Sequence, residues 1–289
     1  MTTFILLTAT GLGLAALYFL VASGLSLIFG LMDVLNFAHG AFISIGGYVA
    51  WSVADHLAGT LGVVVALLAG VAAGAAAAAA TEAAVIRPLY GRPLDQVLAT
   101  VGLGLAIPAL IQAIWGADAR TFPLPGWLAG TADVLGARIP TVRVLLIGTA
   151  LALLIGLRLL LSRSRAGLIV RAGVEDREMV TALGIDVRRA NAAVFALGGA
   201  AAGLAGALYG MYQGSVSPGD GTSLLIFAFV VVVLGSAGSI TGTALAAVAV
   251  GLVQQYADYA SASLGDESVV ILLAAVLLLR RRNLQGRPA

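Results

Sequence analysis

Residues 4–29 read FILLTATGLGLAALYFLVASGLSLIF and contain no charged side chain. At about 1.5 Å per residue, a helix of this length covers roughly 39 Å, more than the roughly 30 Å of a bilayer's hydrocarbon core. The stretch therefore predicts a transmembrane helix. Comparable apolar stretches follow it at 36–54, 61–86, 96–115, 142–161, 190–213, 222–234, 242–257 and 267–279. The sequence thus predicts an all-α, polytopic integral membrane protein with eight or nine transmembrane helices, in which residues 1–289 form a single transmembrane domain.

The composition agrees with this prediction. Apolar residues make up 60% of the 289 positions, charged residues make up 10%, and the mean hydropathy is +1.03. A soluble domain carries about a quarter charged residues, so the composition excludes a soluble enzyme. There is no Cys, and all 16 basic residues are Arg. The chain therefore lacks cysteine metal ligands and the lysine of a Walker A loop, and any energy from ATP has to come from a partner.

The last three predicted spans are short, and the sequence GSAGSITG at 235–242 separates two of them. A thirteen-residue helix reaches only about 20 Å. Short segments interrupted by glycine are typical of broken helices beside a transport pathway. The alternative is that these helices are tilted or cross a thin part of the bilayer.

The arginines are divided unevenly between the two sides of the predicted membrane. Thirteen belong to one set of connecting segments, namely Arg87, Arg92, Arg158, Arg163, Arg165, Arg171, Arg177, Arg188, Arg189, Arg280, Arg281, Arg282 and Arg287. The other set holds three, Arg120, Arg138 and Arg143, with seven acidic residues, Asp55, Asp118, Asp133, Asp220, Asp258, Asp266 and Glu267. Because cytoplasmic loops are enriched in basic residues, the 162–189 loop and the C-terminus are predicted to be cytoplasmic and the N-terminus external. Nine spans satisfy this arrangement, whereas eight need one re-entrant segment.

The cytoplasmic loop at about 162–189 contains a predicted short amphipathic helix. Glu175 or Asp176 begins it, because a carboxylate complements the free N–H groups of a first helical turn. Gly184 fits the left-handed residue that ends such a helix. Its apolar face consists of Met179, Val180, Ala182 and Leu183. Such a face fits a groove on a partner protein. The alternative is a helix that lies on the lipid headgroups, with its arginines on anionic lipid.

Polar residues also lie between the first two predicted spans, in GLMDVLNFAHG at 30–40. Asn36 is predicted to cap the second span and His39 to lie in its first turn, while Gly40 permits close packing. Polar groups inside membranes are often functional, so these three residues are candidates for the pathway or its gate. The same hypothesis includes Gln112, Gly235, Gly238 and Gly242. The alternative is a capped, hydrogen-bonded helix start with a structural role.

No catalytic or metal-binding residues are predicted. A single His without Asp, Glu or Cys at ligand spacing makes a poor metal site. Glu82 is close to Arg87 and is expected either to snorkel towards the membrane surface or to pair with it, rather than to relay protons. The 116–141 segment contains three prolines and few charges, so it is predicted to be a loop or short surface helices.

Several motifs together resemble the permease subunits of ABC importers for branched-chain amino acids, the LivH-like family. In chain order they are GLSLIFG at 24–30 with NFAHG at 36–40, IRPL at 86–89, SRAG at 164–167, ED at 175–176 with ALGI at 182–185, Pro218, VLG at 233–235, GSI at 238–240, and Gly242. The order is kept over roughly residues 12–255. One departure is the tail RRRNLQGR at 280–287, which lacks the early Pro that is usual in the family.

The resemblance implies an ABC importer permease fold in the cytoplasmic (inner) membrane of a prokaryote, surrounded by lipid. It implies a second permease subunit (homologous or identical), two cytoplasmic ABC ATPase subunits and an extracytoplasmic solute-binding protein, with no nucleic acid. The 175–184 helix would couple to the ATPases, and the solute-binding protein would dock on the 55–60, 116–141 and 214–221 loops. No cofactor is expected on this chain, because the partner subunits use the ATP.

The transported solute is left open by the sequence. Branched-chain amino acids are the usual solutes of the family, but related permeases move other amino acids, amides or urea. The main alternative function is a stand-alone secondary carrier or channel for a small polar solute. The predicted spans contain no cluster of carboxylates of the kind that proton- or sodium-coupled carriers need, which disfavours a carrier. An intramembrane enzyme is a third and weaker alternative, because no Cys nucleophile or metal cluster is predicted.

Overall fold

The computed structural model describes residues 2–32, 34–57, 59–134, 136–164, 167, 187–261 and 264–285. Long helices make up most of these residues: α1 Thr2–Met32, α2 His39–His56, α3 Gly59–Thr81, α4 Pro93–Trp115, α6 Thr141–Arg163, α7 Val187–Gln213, α8 Asp220–Gly235, α9 Ile240–Ala260 and α10 Leu264–Gln285. A π-helical turn, Glu82–Ile86, and a 3-10 turn, Arg87–Leu89, continue α3. A single-turn helix, α5, covers Gly126–Ala129.

Two small antiparallel ribbons lie in the connections that follow α4 and α7. Strand β1 (Arg120–Thr121) pairs with β4 (Ser215–Val216), and β2 (Thr131–Val134) pairs with β3 (Ala137–Pro140). The prediction of only loops or short surface helices at 116–141 is therefore wrong. The turn between β2 and β3 favours a ribbon, because the Asp133 carboxylate accepts the N–H of Gly136 at 3.1 Å and Gly136 has a φ of +81°.

Six helical stretches in the described chain are long and apolar enough to cross a membrane. They are Thr3–Gly30, Gly59–Leu89, Pro93–Trp115, Thr141–Arg163, Arg188–Gln213 and Ile240–Ala260. Helix α8 is a shorter apolar helix. Each of the nine predicted spans coincides with a helix, which confirms the all-α polytopic prediction. The choice between eight and nine membrane crossings stays a prediction.

The last two helices are longer than the predicted spans at 242–257 and 267–279. Each helix continues through the polar residues at its ends. Helix α9 has 21 residues and α10 has 22, so only α8, with 16, is short. Within α9, Gln254 accepts a hydrogen bond from the Tyr18 hydroxyl at 2.5 Å and donates one to Asp266 at 2.8 Å. These bonds satisfy polar groups that would otherwise be costly to bury.

Helix α7 forms the centre of the packing, in contact with α1, α2 and α3. The helices α2, α3 and α7 meet at Gly46, Gly70 and Gly203. A Cβ atom on residue 70 would lie 3.0 Å from the carbonyl oxygen of Gly46 and 3.2 Å from that of Gly203. Close backbone contact through small residues is the usual way in which membrane helices associate. The sides of α4 and α6 remain largely exposed and apolar, as expected for surfaces that face lipid or another subunit.

Candidate functional site

Helix α2 begins well inside the membrane-spanning part of α1. The Nε2 atom of His39, the first residue of α2, lies 3.1 Å from the carbonyl oxygen of Val21. Val21 lies eleven residues before the end of α1 at Met32, or about 16 Å along the helix axis. After the end of α1 the chain therefore turns back. Residues 34–38 return it to the level of Val21, where α2 starts.

The side chains of Asn36 and His39 are fully buried, and each has one polar atom without a partner among the described residues. The Asn36 carboxamide oxygen accepts the N–H of Ala38 at 3.1 Å, whereas its Nδ2 has no hydrogen-bond partner within the described chain. The carbonyl of Val21 can only accept, so His39 Nε2 is the donor and carries the hydrogen. The other ring nitrogen, Nδ1, likewise lacks a partner there. The buried Nδ2 and Nδ1 atoms are thus available to something outside the described protein atoms.

The structure corrects the predicted cap of α2. The N-cap position is Ala38, with no side-chain cap bond, and the Asn36 oxygen closes a local turn two residues earlier. Asn favours such turns because its short side chain reaches the backbone N–H two residues ahead. The prediction that His39 lies in the first turn of α2 is confirmed.

Helix α8 begins against the first turns of α2. A Cβ atom on residue 40 would lie 2.6 Å from the carbonyl oxygen of Gly221, so only glycine permits this approach. One turn further along α2, the buried Ser44 hydroxyl donates to the carbonyl of Pro218 at 3.0 Å and accepts the N–H of Gly221 at 3.2 Å. Ser44 therefore ties the start of α8 to α2.

We call this arrangement the α2–α8 junction, comprising residues 36–44 and 217–221. Both helices are preceded by irregular backbone, at 34–38 and at 217–219, inside the packed helices. Irregular backbone at membrane depth occurs where it is buried in protein or lines a water-filled cavity, because lipid cannot satisfy its N–H and C=O groups. Such interruptions are typical of solute sites in transporters.

A small cavity adjoins the junction, with a volume of about 10 Å³. Its lining includes Ser44, Tyr48, Tyr209, Ser217 and Asp220. This volume is about that of a single water molecule. The junction is therefore closed to an amino acid or any larger solute in this structure.

The glycines of the turn between α8 and α9 also pack onto α1. Gly238 has a φ of +83°, and its N–H donates to the Ser26 hydroxyl at 3.2 Å. Its backbone is in such close contact with Gly30 that a Cβ atom on residue 30 would overlap it. Gly235 and Gly242 approach each other across the same turn, where a Cβ atom on residue 235 would lie 2.6 Å from Thr243 Cα.

Most of the predicted pathway residues are thus gathered around the second half of α1. His39, between Asn36 and Gly40 in the chain, contacts Val21 and Gly24, where a Cβ atom on residue 24 would lie 2.9 Å from His39 Cε1. The glycines of the α8–α9 turn lie near Ser26 and Gly30. Their membership of a pathway or gate stays a prediction.

Other predicted residues lie elsewhere. Gln112 is exposed near the end of α4, away from the junction contacts. The predicted coupling helix, with Glu175, Asp176, Met179, Val180, Ala182, Leu183 and Gly184, lies outside the described residues. The predicted pairing of Glu82 is confirmed, with Arg87 Nη2 3.1 Å from its carboxylate and the Tyr90 hydroxyl 2.8 Å away. In the described part of the chain, no group of three His, Asp or Glu residues is placed to hold a metal ion.

Sequence reasoning missed the contributions of Ser44 and Ser26 to these contacts. Each of these serines accepts an N–H from the distant backbone of α8 or its following turn. One signal was present, since Ser44 follows Gly40 by four residues and so shares its helix face. Its partners at 218 and 221 are more than 170 positions away in the chain, and no local pattern specifies them.

Comparison with known proteins identifies the family. A family model described as "branched-chain amino acid transport system / permease component" matches residues 7–280. The chain belongs to this family. The match covers the α2–α8 junction, the α8–α9 turn and the segment predicted to form the coupling helix.

Individual relatives resemble this permease along almost its whole length. The high-affinity branched-chain amino acid transport system permease protein BraD of Pseudomonas aeruginosa is 32% identical over 290 residues, which covers 96% of this chain and 94% of BraD. The corresponding LivH of Escherichia coli K12 is 30% identical, with the same coverage. LivM of Escherichia coli K12, another permease protein of this kind of system, is 29% identical over 90% of this chain and 67% of LivM. No solved structure matches the permease significantly.

Proposed function

We propose that this permease is a membrane-spanning subunit of an ABC importer that moves branched-chain or chemically related amino acids into the cytoplasm. The similarity to BraD and LivH supports the solute class. The observation that carries a transport role is the α2–α8 junction, where two helices start from irregular backbone at membrane depth beside polar atoms that have no partner in the described protein. The permease itself performs no catalytic chemistry and needs no cofactor.

The proposed pathway runs past Asn36, His39 and Gly40. Because the adjoining cavity has room for about one water molecule, the structure corresponds to a closed state of this pathway. To admit an amino acid, the start of α8 has to move away from α2. The contacts through Gly40, Ser44 and Gly221 are the ones that such a movement breaks.

The turn between α8 and α9 is proposed to act as a second element of the gate. Gly235, Gly238 and Gly242 hold this turn against α1 by backbone contacts and by the bond from Gly238 to Ser26. Because α8 joins this turn to the α2–α8 junction, a displacement of one end of α8 is transmitted to the other. Gln112 can line the pathway only if a second permease subunit covers the exposed side of α4.

Energy is proposed to arrive through the loop that precedes α7. The predicted helix at 175–184 docks on a cytoplasmic ATPase subunit, and α7 begins at Val187, directly after it. Helix α7 contacts α1, α2 and α3. A push on the loop therefore reaches α7 directly and, through it, the three helices that surround the proposed pathway.

The remaining parts of the proposed importer are a second permease subunit, two ATPase subunits and an extracytoplasmic solute-binding protein. The second permease subunit is proposed to be homologous to this chain, because LivM is a similar permease protein of a branched-chain amino acid transport system. With the N-terminus outside, the connections at 55–60 and 116–141 and the first part of 214–221 face the solute-binding protein, whereas residues 217–221 lie in the α2–α8 junction. The β1–β4 ribbon supports this docking surface, since it joins the second and third of these segments.

Uptake by the reconstituted system tests the proposal. Proteoliposomes with the permease, its partner subunits and the solute-binding protein should accumulate L-leucine only when ATP is supplied to the ATPase side. Accumulation by the permease alone, without ATP or the other subunits, would instead identify a stand-alone carrier or channel.

The coupling helix can be tested separately. Met179→Asp and Leu183→Asp should abolish uptake while the permease still reaches the membrane, because an unpaired charge in an apolar groove costs several kcal/mol. Thr181→Asp, on another face of the predicted helix, is the matched control and should retain uptake. Normal uptake by both face variants would remove the proposed docking role.

A further inference from the structure

A second and larger cavity lies on the side of the molecule that the proposed orientation makes external. It has a volume of about 370 Å³ and lies between the start of α6, the end of α7 and the segment around α5. Its lining includes Leu124, Leu128, Arg143, Met211, Tyr212 and Gln213. Its size and its mixture of apolar side chains with one cation are typical of a small-molecule site.

The guanidinium group of Arg143 is held in place, and the described residues leave its hydrogen-bond donors free. Its Cζ lies 5.5 Å from the ring centre of Tyr212, a cation–π distance. Its aliphatic stem crosses α1 at Gly13, where a Cβ atom would lie 3.0 Å from Arg143 Cβ. Within the ranges that the structure describes, this guanidinium forms no ion pair and no hydrogen bond. Its N–H groups therefore remain available to an anion.

The other two arginines on this side do not line the cavity. Arg120 Nη2 donates to the carbonyl of Trp115, and its guanidinium lies 5.9 Å from the Trp51 ring centre. Arg138 is exposed on the β2–β3 ribbon, where its backbone is in register with that of Asp133. Arg143 is thus the arginine on this side that combines a cavity with unused donors.

We propose that this cavity binds the carboxylate of the amino acid on its way to the pathway, with Arg143 as the carboxylate ligand. A guanidinium binds a carboxylate through two parallel hydrogen bonds, and the partly exposed Leu124, Ala129 and Pro140 of the lining offer apolar contact to an aliphatic side chain. The inference rests on the proposed function for the identity of the solute. It adds a site on the permease itself, outside the α2–α8 junction.

The charge of this side of the molecule favours a small anion over an acidic residue of the solute-binding protein. Seven acidic residues stand against three arginines there, so a complementary partner surface is basic. An acidic partner residue that reached Arg143 would have to approach through a predominantly negative surface. A zwitterionic amino acid, with no net charge, does not meet this repulsion.

The proposal is tested by measuring the weak binding of L-leucine to the transporter complex in phosphatidylcholine nanodiscs, without the solute-binding protein. Saturation-transfer NMR on the leucine methyl protons detects millimolar dissociation constants. We expect wild type to prefer leucine to leucinamide, which lacks the carboxylate, by at least tenfold. Arg143→Gln should raise the Kd for leucine at least tenfold and remove the preference over leucinamide. Arg143→Lys should give an intermediate Kd, since lysine keeps the charge but lacks the two parallel N–H donors of the guanidinium.

The exposed Arg138→Gln variant is the matched control and should bind leucine like wild type. Assembly of each variant is checked by size-exclusion chromatography, so that a folding defect is not mistaken for a binding defect. An unchanged Kd in Arg143→Gln overturns the proposal, as does the absence of leucine binding to wild type. If Arg143→Gln weakens docking of the solute-binding protein but not leucine binding, the cation serves that protein and the proposal is wrong.

Uptake measured with the same preparations separates this inference from the proposed function. If ATP-driven leucine uptake occurs but Arg143→Gln does not affect binding, only the cavity assignment fails. If the assembled wild-type system imports no branched-chain amino acid, both the proposed function and the cavity assignment fail.

Discussion

At the scale of single residues, the Asn36 carboxamide separates a structural role from a transport role. Its oxygen closes the turn to Ala38, whereas its Nδ2 has no partner in the described protein. A serine hydroxyl can replace the oxygen as acceptor but cannot reproduce the amide N–H₂ group. We therefore expect Asn36→Ser to assemble like wild type but to lower uptake several-fold, measured as initial uptake per assembled complex. Unchanged uptake would limit Asn36 to the turn.

His39 is expected to respond more mildly. Its Nε2–H donates to the carbonyl of Val21, and a glutamine amide can offer a comparable donor. His39→Gln should therefore retain assembly and most of the uptake. A strong transport defect with intact assembly would show that the unpartnered Nδ1 atom acts on the pathway.

Ser44 is expected to matter for stability. Ser44→Ala removes the hydroxyl that binds both Pro218 and Gly221, which leaves buried backbone groups unsatisfied at a cost of about 1–3 kcal/mol. The assembled complex should thus dissociate at a lower temperature. Ser23→Ala is the control, because the equally buried Ser23 bonds, in the described part of the chain, only to Leu20 within its own helix. Equal thermal stability of the two variants would contradict the bridging role of Ser44.

At the scale of elements, the contact between α2 and α8 depends on glycine at position 40. A methyl group there would lie 2.6 Å from the carbonyl of Gly221, and relief of such overpacking costs about 1–3 kcal/mol. Gly40→Ala should therefore reduce the yield of assembled transporter and the uptake per complex. Gly156→Ala in α6 is the matched control, since its methyl group would meet nothing within 4 Å, and alanine favours a helix. Normal uptake in Gly40→Ala would show that α8 does not need this close approach.

At the scale of the whole molecule, the distribution of arginine predicts its orientation in the membrane. The chain contains no Cys, so a single introduced cysteine can be labelled without background. Cysteines at Ser164 and Gly286 should react with an impermeant maleimide only from the cytoplasmic side, and one at Gly130 only from the outside. Labelling of Ser164 from the outside would invert the proposed topology and move the Arg143 cavity to the cytoplasmic side.

The amino-acid sequence alone determined the class of protein and the positions of its helices. Uncharged stretches such as 4–29 have no other stable location than a bilayer, and their length is fixed by its thickness. Each predicted span is a helix because backbone groups in lipid have to be satisfied within the same segment. The close pairing of Glu82 with Arg87 was also predictable, since only five residues separate them.

Only the tertiary structure decided which of these helices meet and what they enclose. The contact of Gly40 with Gly221, the bridge from Ser44 to α8, and the cavity around Arg143 join segments that are far apart in the chain. Periodicity shows which residues share a helix face, but not which distant backbone that face approaches. The α2–α8 junction depends on that approach, because glycine and serine at these positions acquire their roles only when another helix lies against them.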